Sequence, residues 1–283
     1  MNEKNSLQHF MFQHAAIRGE IAHLDSVYTT IMEQRDYPPI VRHLLGEALV
    51  ACMLITGSIK FEGELSLQFQ GDSRLPLLLV QCDYQLNMRA FAKYKEDLET
   101  RDYAEAFLSG QMVLTINHYN QTQSYQSMVP LESTSMSENL MNYFAQSEQI
   151  PTWIRLAANE HGAAGMLLQL MPDQDVAQRE NFWEYAVQIG QTITDNELFT
   201  LDNETVLYRL YNETDVLVFD PRPARFKCRC NAEKMKQVIK ILGEEDANNL
   251  ITERGKLEIT CDFCNSHYAF DAIDITMMFH HNK

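Results

Sequence analysis

The chain has 283 residues, of which 45% are hydrophobic, and a formal net charge of −16 at pH 7. This length predicts two domains, or one domain with an appended module. The acidic charge argues against nucleic-acid and anionic-membrane partners, because their recognition needs clustered Lys and Arg. The N-terminal sequence has no export signature, and no run of eighteen apolar residues is free of charge, so we expect a cytoplasmic protein that does not span a membrane.

The first sixty residues are predicted to be helical. The segment SVYTTIMEQRDYPP ends at Pro38 and Pro39, where a helix would stop. The segment IVRHLLGEALVACMLITGSI then has the pattern of an amphipathic core helix that closes near Gly57.

A period of two begins at residue 63. In GELSLQFQG the apolar residues Leu65, Leu67 and Phe69 alternate with polar ones, which is typical of a strand with one exposed face. Four further segments follow the same pattern: LPLLLVQC, NMRAFAKY, QMVLTINHY and QSYQSMVP. The turns between them are mostly too short for crossover helices, so the sheet is predicted to be mainly antiparallel.

A helix and a last strand pair complete the predicted core. The helix lies in SMSENLMNYFAQSEQIP, where Ser135 and Glu138 have the spacing of a capping box. The strand pair lies in TWIRLAAN and GAAGMLLQLMP, and it ends near Pro172. We therefore expect an α+β fold, with an N-terminal core domain of helices and antiparallel sheet over residues 1–172.

Two smaller regions are predicted to follow the core. Residues 173–225 contain RENFWEYAVQIG and NETVLYRLYNE, which have helical spacing but are short and acidic, so they form a metastable helical linker. Residues 226–283 form a zinc-binding module. It contains a helix capped by Asn231 and ended by Gly243, a second helix ending near Gly255, and a hairpin in KLEITCDFCNSHYAF.

Four of the six cysteines form two close pairs, Cys228 with Cys230 and Cys261 with Cys264. In a reducing compartment such pairs are more typical of metal ligands or redox groups than of permanent disulfides. Two thiol pairs that a folded segment brings together supply the tetrahedral sulfur set that zinc prefers. We therefore predict that these four thiols bind one Zn²⁺ per chain.

Thiol chemistry leaves several functions open. Residues i and i+2, or i and i+3, can approach within disulfide range, so each pair is also a latent disulfide once the metal is lost. A purely structural zinc site, a redox switch, a zinc module that docks a fixed partner, and a thiol-disulfide oxidoreductase using the CxxC pair are the alternatives. The hairpin setting disfavours the oxidoreductase. No hydrolase, P-loop or dinucleotide motif is present, so no catalytic residue and no enzyme is predicted.

Three further side chains that could bind a metal are predicted not to be ligands. His267 extends the motif to CxxCxxH, but four sulfurs already complete a zinc site, so His267 is predicted to be a neighbour of the metal and not a ligand. Cys52 and Cys82 lie in apolar runs and are predicted to be core residues.

Six stretches of sequence match one known family. They are DYPPIVRHLLGEALVA, QSMVPLESTSMSENLMNYFAQSEQIPT, AAGMLLQLMP, VLYRLYNE, CRC and CDFCNSHYAFDAIDI. Through them the chain resembles the heat shock protein 33 family, the redox-regulated holdase chaperones, along nearly its whole length. One departure is that AFAKYKED and LSGQMVLTI lack glycines of the family pattern, which concerns turns of the core.

The resemblance implies a cytosolic, ATP-independent chaperone that is inactive while reduced and zinc-bound. Under oxidative stress with unfolding conditions, it implies that Cys228 pairs with Cys230, Cys261 pairs with Cys264, zinc is released and the linker unfolds. The active form is expected to be a homodimer that holds unfolded or partly unfolded client proteins. The resemblance implies no cofactor other than Zn²⁺ and favours the redox switch among the alternatives.

Overall fold

A computed structural model of the chain describes residues 4–96, 98, 102–107, 109–172 and 176–280, with the side chains of 176–180 excepted. Two compact units are present, Met1–Phe226 and Lys227–Lys283. The mixture of helices and sheets confirms the predicted α+β class. The three-part division at residues 172 and 225 stays a prediction.

The first unit contains twelve strands and seven helices among its described residues. Its strands are β1 (Asn5–Phe12), β2 (Ile17–Leu24), β3 (Gly63–Gln70), β4 (Leu77–Asp83), β5 (Asn87–Lys93), β6 (Gln111–His118), β7 (Tyr125–Pro130), β8 (Thr152–Ala158), β9 (Ala163–Leu170), β10 (Val216–Val218), β11 (Arg222–Pro223) and β12 (Arg225–Phe226). Its helices are α1 (Ser26–Met32), α2 (Pro39–Ser58), α3 (Tyr103–Phe107), α4 (Met136–Tyr143, continued by a π-helical turn, Phe144–Glu148), α5 (Val176–Gly190), α6 (Asp195–Thr200) and α7 (Asn203–Tyr211).

The second unit contains three helices and one hairpin in the described residues. They are α8 (Ala232–Leu242), α9 (Glu244–Arg254), β13 (Leu257–Thr260), β14 (His267–Phe270) and α10 (Ala272–His280). Asn231 caps α8, Gly243 ends it at a positive φ, and Gly255 ends α9 in the left-handed region. These caps confirm the predicted ends of both helices.

The strands of the first unit form two six-stranded sheets. The first sheet has the order β10-β1-β2-β9-β8, with β11 also paired to β1, and the second has the order β12-β5-β4-β3-β6-β7. All pairs of strands are antiparallel except the short pair of β12 with β5. The predicted antiparallel arrangement is therefore confirmed.

The prediction of a helical N-terminus was wrong for residues 5–24, which form β1 and β2. These strands are buried on both faces: Leu7 and Ala22 belong to the apolar core around α2, whereas Phe10 and Ile21 belong to a second cluster on the opposite face. A strand covered on both faces loses the alternation of apolar and polar residues that marks a half-exposed strand.

Helix α2 forms the centre of the first unit. It is long and apolar enough to cross a membrane, but 72% of its most apolar window is buried inside the protein, where it packs against strands of both sheets. Pro39 occupies its first turn, where the missing backbone N–H is not needed. The predicted core helix is confirmed.

Helices α5, α6 and α7 cover the other face of the first sheet. Their apolar side chains join a cluster that contains Phe10, Phe12, Ile17, Ile21, Trp153, Leu168, Ala186, Ile193, Leu198, Val206, Leu207 and Tyr211. Thr194 and Glu197 form a capping box at α6, and the Asp202 side chain accepts a hydrogen bond from the Thr205 N–H at the start of α7. The two helices predicted in residues 173–225 are confirmed, and they gain their apolar contacts from the sheet.

Asn139, in α4, is a buried polar residue that organises the loop before its helix. Its side chain accepts hydrogen bonds from the N–H groups of Glu132 and Ser133, and it donates to the Tyr103 hydroxyl at 3.1 Å. We expect Asn139→Ala to lower the free energy of unfolding of the first unit by about 2–3 kcal/mol, because buried polar groups lose their partners.

Denaturation followed by tryptophan fluorescence measures this effect, since both tryptophans, Trp153 and Trp183, lie in the first unit. Asn142→Ala is the matched control, because Asn142 lies on the exposed side of the same helix. Equal stability of the two variants would contradict the expected role of Asn139.

Candidate metal centre

The second cysteine pair lies in the turn of the β13–β14 hairpin, as predicted. Thr260 and His267 are opposite each other at the end of the ladder, and residues 261–266 form the turn. The Cys261 N–H donates to the Ser266 carbonyl at 2.9 Å, and the Asn265 N–H donates to the Cys261 carbonyl at 2.9 Å. Asn265 has a φ of 54°, which an asparagine adopts more readily than most residues. These bonds fix the direction of both thiols.

The first cysteine pair lies in the segment between β12 and α8. The side chain of Asn231, directly after Cys230, accepts a hydrogen bond from the Lys234 N–H at 2.9 Å and so fixes the start of α8. Helices α8 and α9 then lead the chain to the hairpin that carries the other pair. The cap therefore fixes the backbone at the exit of the CxC motif.

All four predicted ligand atoms converge. The Sγ atoms of Cys228, Cys230, Cys261 and Cys264 lie within 4.8 Å of one another. The Cys228 and Cys261 sulfurs are 3.7 Å apart, and the Cys230 and Cys264 sulfurs are 3.3 Å apart. A tetrahedral zinc ion with Zn–S bonds of about 2.3 Å places its sulfurs roughly 3.8 Å apart. The donor set and its spacing fit a metal ion.

The surroundings of the thiols shift their pKa values in different directions. Burial raises the pKa of Cys228 to about 12, and burial also raises the pKa of Cys261. Burial acts in the same direction on Cys264, but hydrogen bonds from the Ser266 side chain and backbone outweigh it and lower the pKa of Cys264 to about 7. A bound cation favours the deprotonated form of all four sulfurs.

Two residues beside the sulfurs were missed by the sequence analysis. The Tyr268 hydroxyl donates a hydrogen bond to the Cys230 sulfur at 3.1 Å, and the Ser266 hydroxyl lies 3.2 Å from the Cys264 sulfur. Their closeness in sequence to the CxxC motif is the signal that could have identified them, since Ser266 lies in the same turn and Tyr268 lies at the start of β14. Both hydroxyls form hydrogen bonds with ligand atoms.

The other cysteines and His267 lie elsewhere. Cys52 and Cys82 are fully buried in the core of the first unit, and burial raises the pKa of Cys82 to about 12. The His267 ring contacts the Thr260 hydroxyl at 2.9 Å and does not belong to the group of converging ligand atoms found in the described residues. The interpretation of Cys52 and Cys82 as core residues is confirmed.

Known proteins resemble this chain over nearly its full length. The model of the family described as Hsp33 protein matches residues 5–271. A 33 kDa chaperonin of Nitrosococcus oceani is 36% identical over 279 residues, which are 99% of this chain and 96% of the relative. A 33 kDa chaperonin of Pseudomonas savastanoi pv. phaseolicola is 38% identical over 278 residues, which are 96% of this chain and 92% of the relative.

A solved structure shares the fold. The crystal structure of the 33 kDa chaperonin (heat shock protein 33 homolog) of Thermotoga maritima superimposes with a TM-score of 0.83 at 22% identity and covers 97% of both chains. Together with the sequence matches, it confirms the family resemblance. The chain therefore belongs to the Hsp33 protein family, a family of chaperones rather than enzymes.

Proposed function

We propose that this chaperone is a redox-regulated, ATP-independent holdase, inactive while its four thiols bind Zn²⁺ and active after oxidation releases the metal. The observation that carries the proposal is the convergence of four sulfurs within 4.8 Å in a unit of residues 227–283. The names of the relatives give no support to the alternative of a thiol-disulfide oxidoreductase.

The small core of the second unit supports a structural role for the metal. Its buried apolar cluster consists of Ile239, Ala247, Leu257, Phe270, Ile275 and Met278. Below about 40–60 residues, a core of this size rarely stabilises a fold without a metal or a disulfide. Cys228, Cys230, Cys261 and Cys264 would hold the ion, and metal binding would then supply much of the folding free energy of the unit.

Oxidation would reverse this stabilisation. For each pair, hydrogen peroxide takes two electrons from two thiolates, one disulfide forms, and two protons from the solvent complete two molecules of water. We propose the pairs Cys228 with Cys230 and Cys261 with Cys264. Once the unit loosens, these neighbours stay close, whereas a bond between the two motifs would have to close a loop of more than thirty residues against chain entropy.

The linker helices would supply apolar surface for clients. Helices α5, α6 and α7 cover a cluster that contains Phe12, Trp153 and Tyr211, and their release would expose both the helix faces and the sheet beneath them. Large contiguous apolar surfaces mark sites of protein interaction. We propose that the active form is a cytoplasmic homodimer that holds unfolded or partly unfolded proteins through this surface.

Light scattering of a thermally unfolding client tests the proposal. The reduced, zinc-loaded protein is expected to leave aggregation unchanged, and protein treated with peroxide at elevated temperature is expected to suppress it. Zinc released per chain is measured in the same samples. Equal suppression by the two forms would eliminate the redox switch.

A further inference from the structure

Residues 215–226, termed the edge strip here, follow α7 and end two residues before Cys228. They run along the edges of both sheets. In the first sheet, β10 and β11 pair with β1, with Phe10 opposite Val218 and Ser6 opposite Pro223. In the second sheet, β12 pairs with β5. The strip therefore occupies two strand edges that would otherwise present unpaired backbone groups.

Backbone hydrogen bonds join the strip to β1 along the length of that strand. At one end of β1, the Gln13 N–H donates to the Asp215 carbonyl at 2.9 Å. In the middle, the Phe219 N–H donates to the His9 carbonyl at 3.0 Å. At the other end, the Ala224 N–H donates to the Asn5 carbonyl at 2.8 Å. The side-chain amide of Gln8 adds a bond to the Phe219 carbonyl at 2.9 Å.

The strip buries little apolar surface. All twelve of its residues are described, and Ala224 alone among them is buried. Leu217 is 46% exposed and Phe219 is 41% exposed. Because the net contribution of each backbone hydrogen bond to stability is small, a segment held mainly by such bonds opens more readily than a packed one. The strip is therefore held largely by backbone pairing, and we expect it to open before the packed core does.

Alternate side chains of the strip meet an apolar surface. Val216 and Val218 pack against the cluster under α5 and α7, and their partners across the ladder are Phe12 and Phe10. Leu217, between them, lies opposite the exposed Met11. The β1 edge thus offers apolar contacts to every second residue of an extended segment and leaves the residues between them exposed.

We infer that β1 is a client-binding edge, occupied in the resting protein by the edge strip and in the active protein by an extended apolar segment of an unfolded polypeptide. The inference rests on the proposed function and adds a site and a binding mode to it, namely strand addition. An unfolded chain offers the same N–H and C=O pattern as the strip at every position, so main-chain pairing supports binding of many sequences with little specificity.

Two proline variants at one ladder position test the inference. Met11 and Leu217 are opposite each other between the bonds at His9 and Gln13, so by the alternation of an antiparallel ladder they exchange both backbone bonds. Met11→Pro and Leu217→Pro each remove one N–H from this pair and weaken the resting strip equally. Both side chains are partly exposed, so each substitution removes one ladder bond without truncating a buried side chain.

The two variants differ in the active state. Met11→Pro removes a donor that a client segment would use, whereas Leu217→Pro alters only the strip that the client displaces. With labelled, reduced and carboxymethylated α-lactalbumin as the probe, we expect activated Met11→Pro to bind about 2- to 10-fold more weakly than activated Leu217→Pro, as the loss of one backbone bond implies. Equal affinities of the two variants would overturn the inference.

Amide exchange in the unmodified full-length chain gives an independent readout. On activation, the N–H groups of Met11 and Gln13, which face the strip, are expected to lose protection, while those of Gln8 and Phe10, which face β2, keep it. Added probe is expected to restore protection at Met11 and Gln13. Unchanged exchange at these two positions in the probe complex would refute strand addition, whereas failure of the activated wild-type protein to bind the probe would refute the proposed function instead.

Discussion

Removal of the metal from the reduced protein is expected to unfold residues 227–283 and to leave α2 and the strands β1–β9 of the first unit folded. The four sulfurs converge on one point, while the apolar cluster of this unit contains six buried residues. Apparent binding free energies of structural zinc are about 10–16 kcal/mol, which is more than such a cluster contributes. A chelator, or Cys261→Ser at the most buried ligand, is therefore expected to convert α8, α9 and α10 to random coil.

Far-UV circular dichroism and limited proteolysis measure this loss, and zinc content is determined alongside. Cys82→Ala is the matched control, because Cys82 is a buried thiol of the first unit with no place in the sulfur cluster. It is expected to retain the metal and the protease-resistant C-terminal unit. Retention of the α8–α10 helices in metal-free protein would contradict the role given to the metal.

The cluster of four thiols was predictable because its determinants are local. The CxC and CxxC spacings, the cap at Asn231 and the helix end at Gly243 each depend on a few neighbouring residues, and the structure shows the hairpin turn where it was expected. The strands from residue 63 to residue 130 were also predictable, because strands such as β3 and β6 keep a period of two in sequence, although Glu64 and Ser66 on β3 are buried.

The missed elements depend on contacts that are distant in sequence. Strands β1 and β2 have apolar cover on both faces, which hides the strand pattern. The short strands β10 and β11 exist only because β1, about two hundred residues earlier, offers a free edge in matching register. Sequence periodicity contains no information about such a partner, so β10 and β11 were not predicted.

In each unit, some elements gain their contacts from residues that are distant in sequence. In the second unit the sulfurs of the hairpin and of the segment before α8 converge on one point, and in the first unit the sheet supplies the apolar contacts that α5, α6 and α7 lack by themselves. Because the edge strip ends just before Cys228, we expect disorder that begins at the four thiols to reach backbone pairing before it reaches a packed core. A substitution that detaches α5, α6 and α7 directly is therefore expected to activate client binding while the metal stays bound.

Tyr211→Ala is such a change, and it is expected to produce client binding without oxidation. The Tyr211 ring is 1% exposed, lies edge-on to Phe12 at 4.9 Å between centroids, and its hydroxyl donates to the Ala186 carbonyl at 2.9 Å. Truncation of a buried aromatic residue costs about 3–5 kcal/mol, and here the loss falls on the contacts between α7, α5 and the sheet.

Reduced Tyr211→Ala is expected to keep its zinc and yet suppress aggregation of a heat-denatured client in a light-scattering assay. Tyr208→Ala is the matched control, because Tyr208 lies on the same helix but is 72% exposed, and it is expected to require peroxide as the wild type does. Amide exchange reports whether α5 and α7 have opened. If they open in Tyr211→Ala while the reduced variant still fails to suppress aggregation, release of the linker is not the step that creates the client-binding surface.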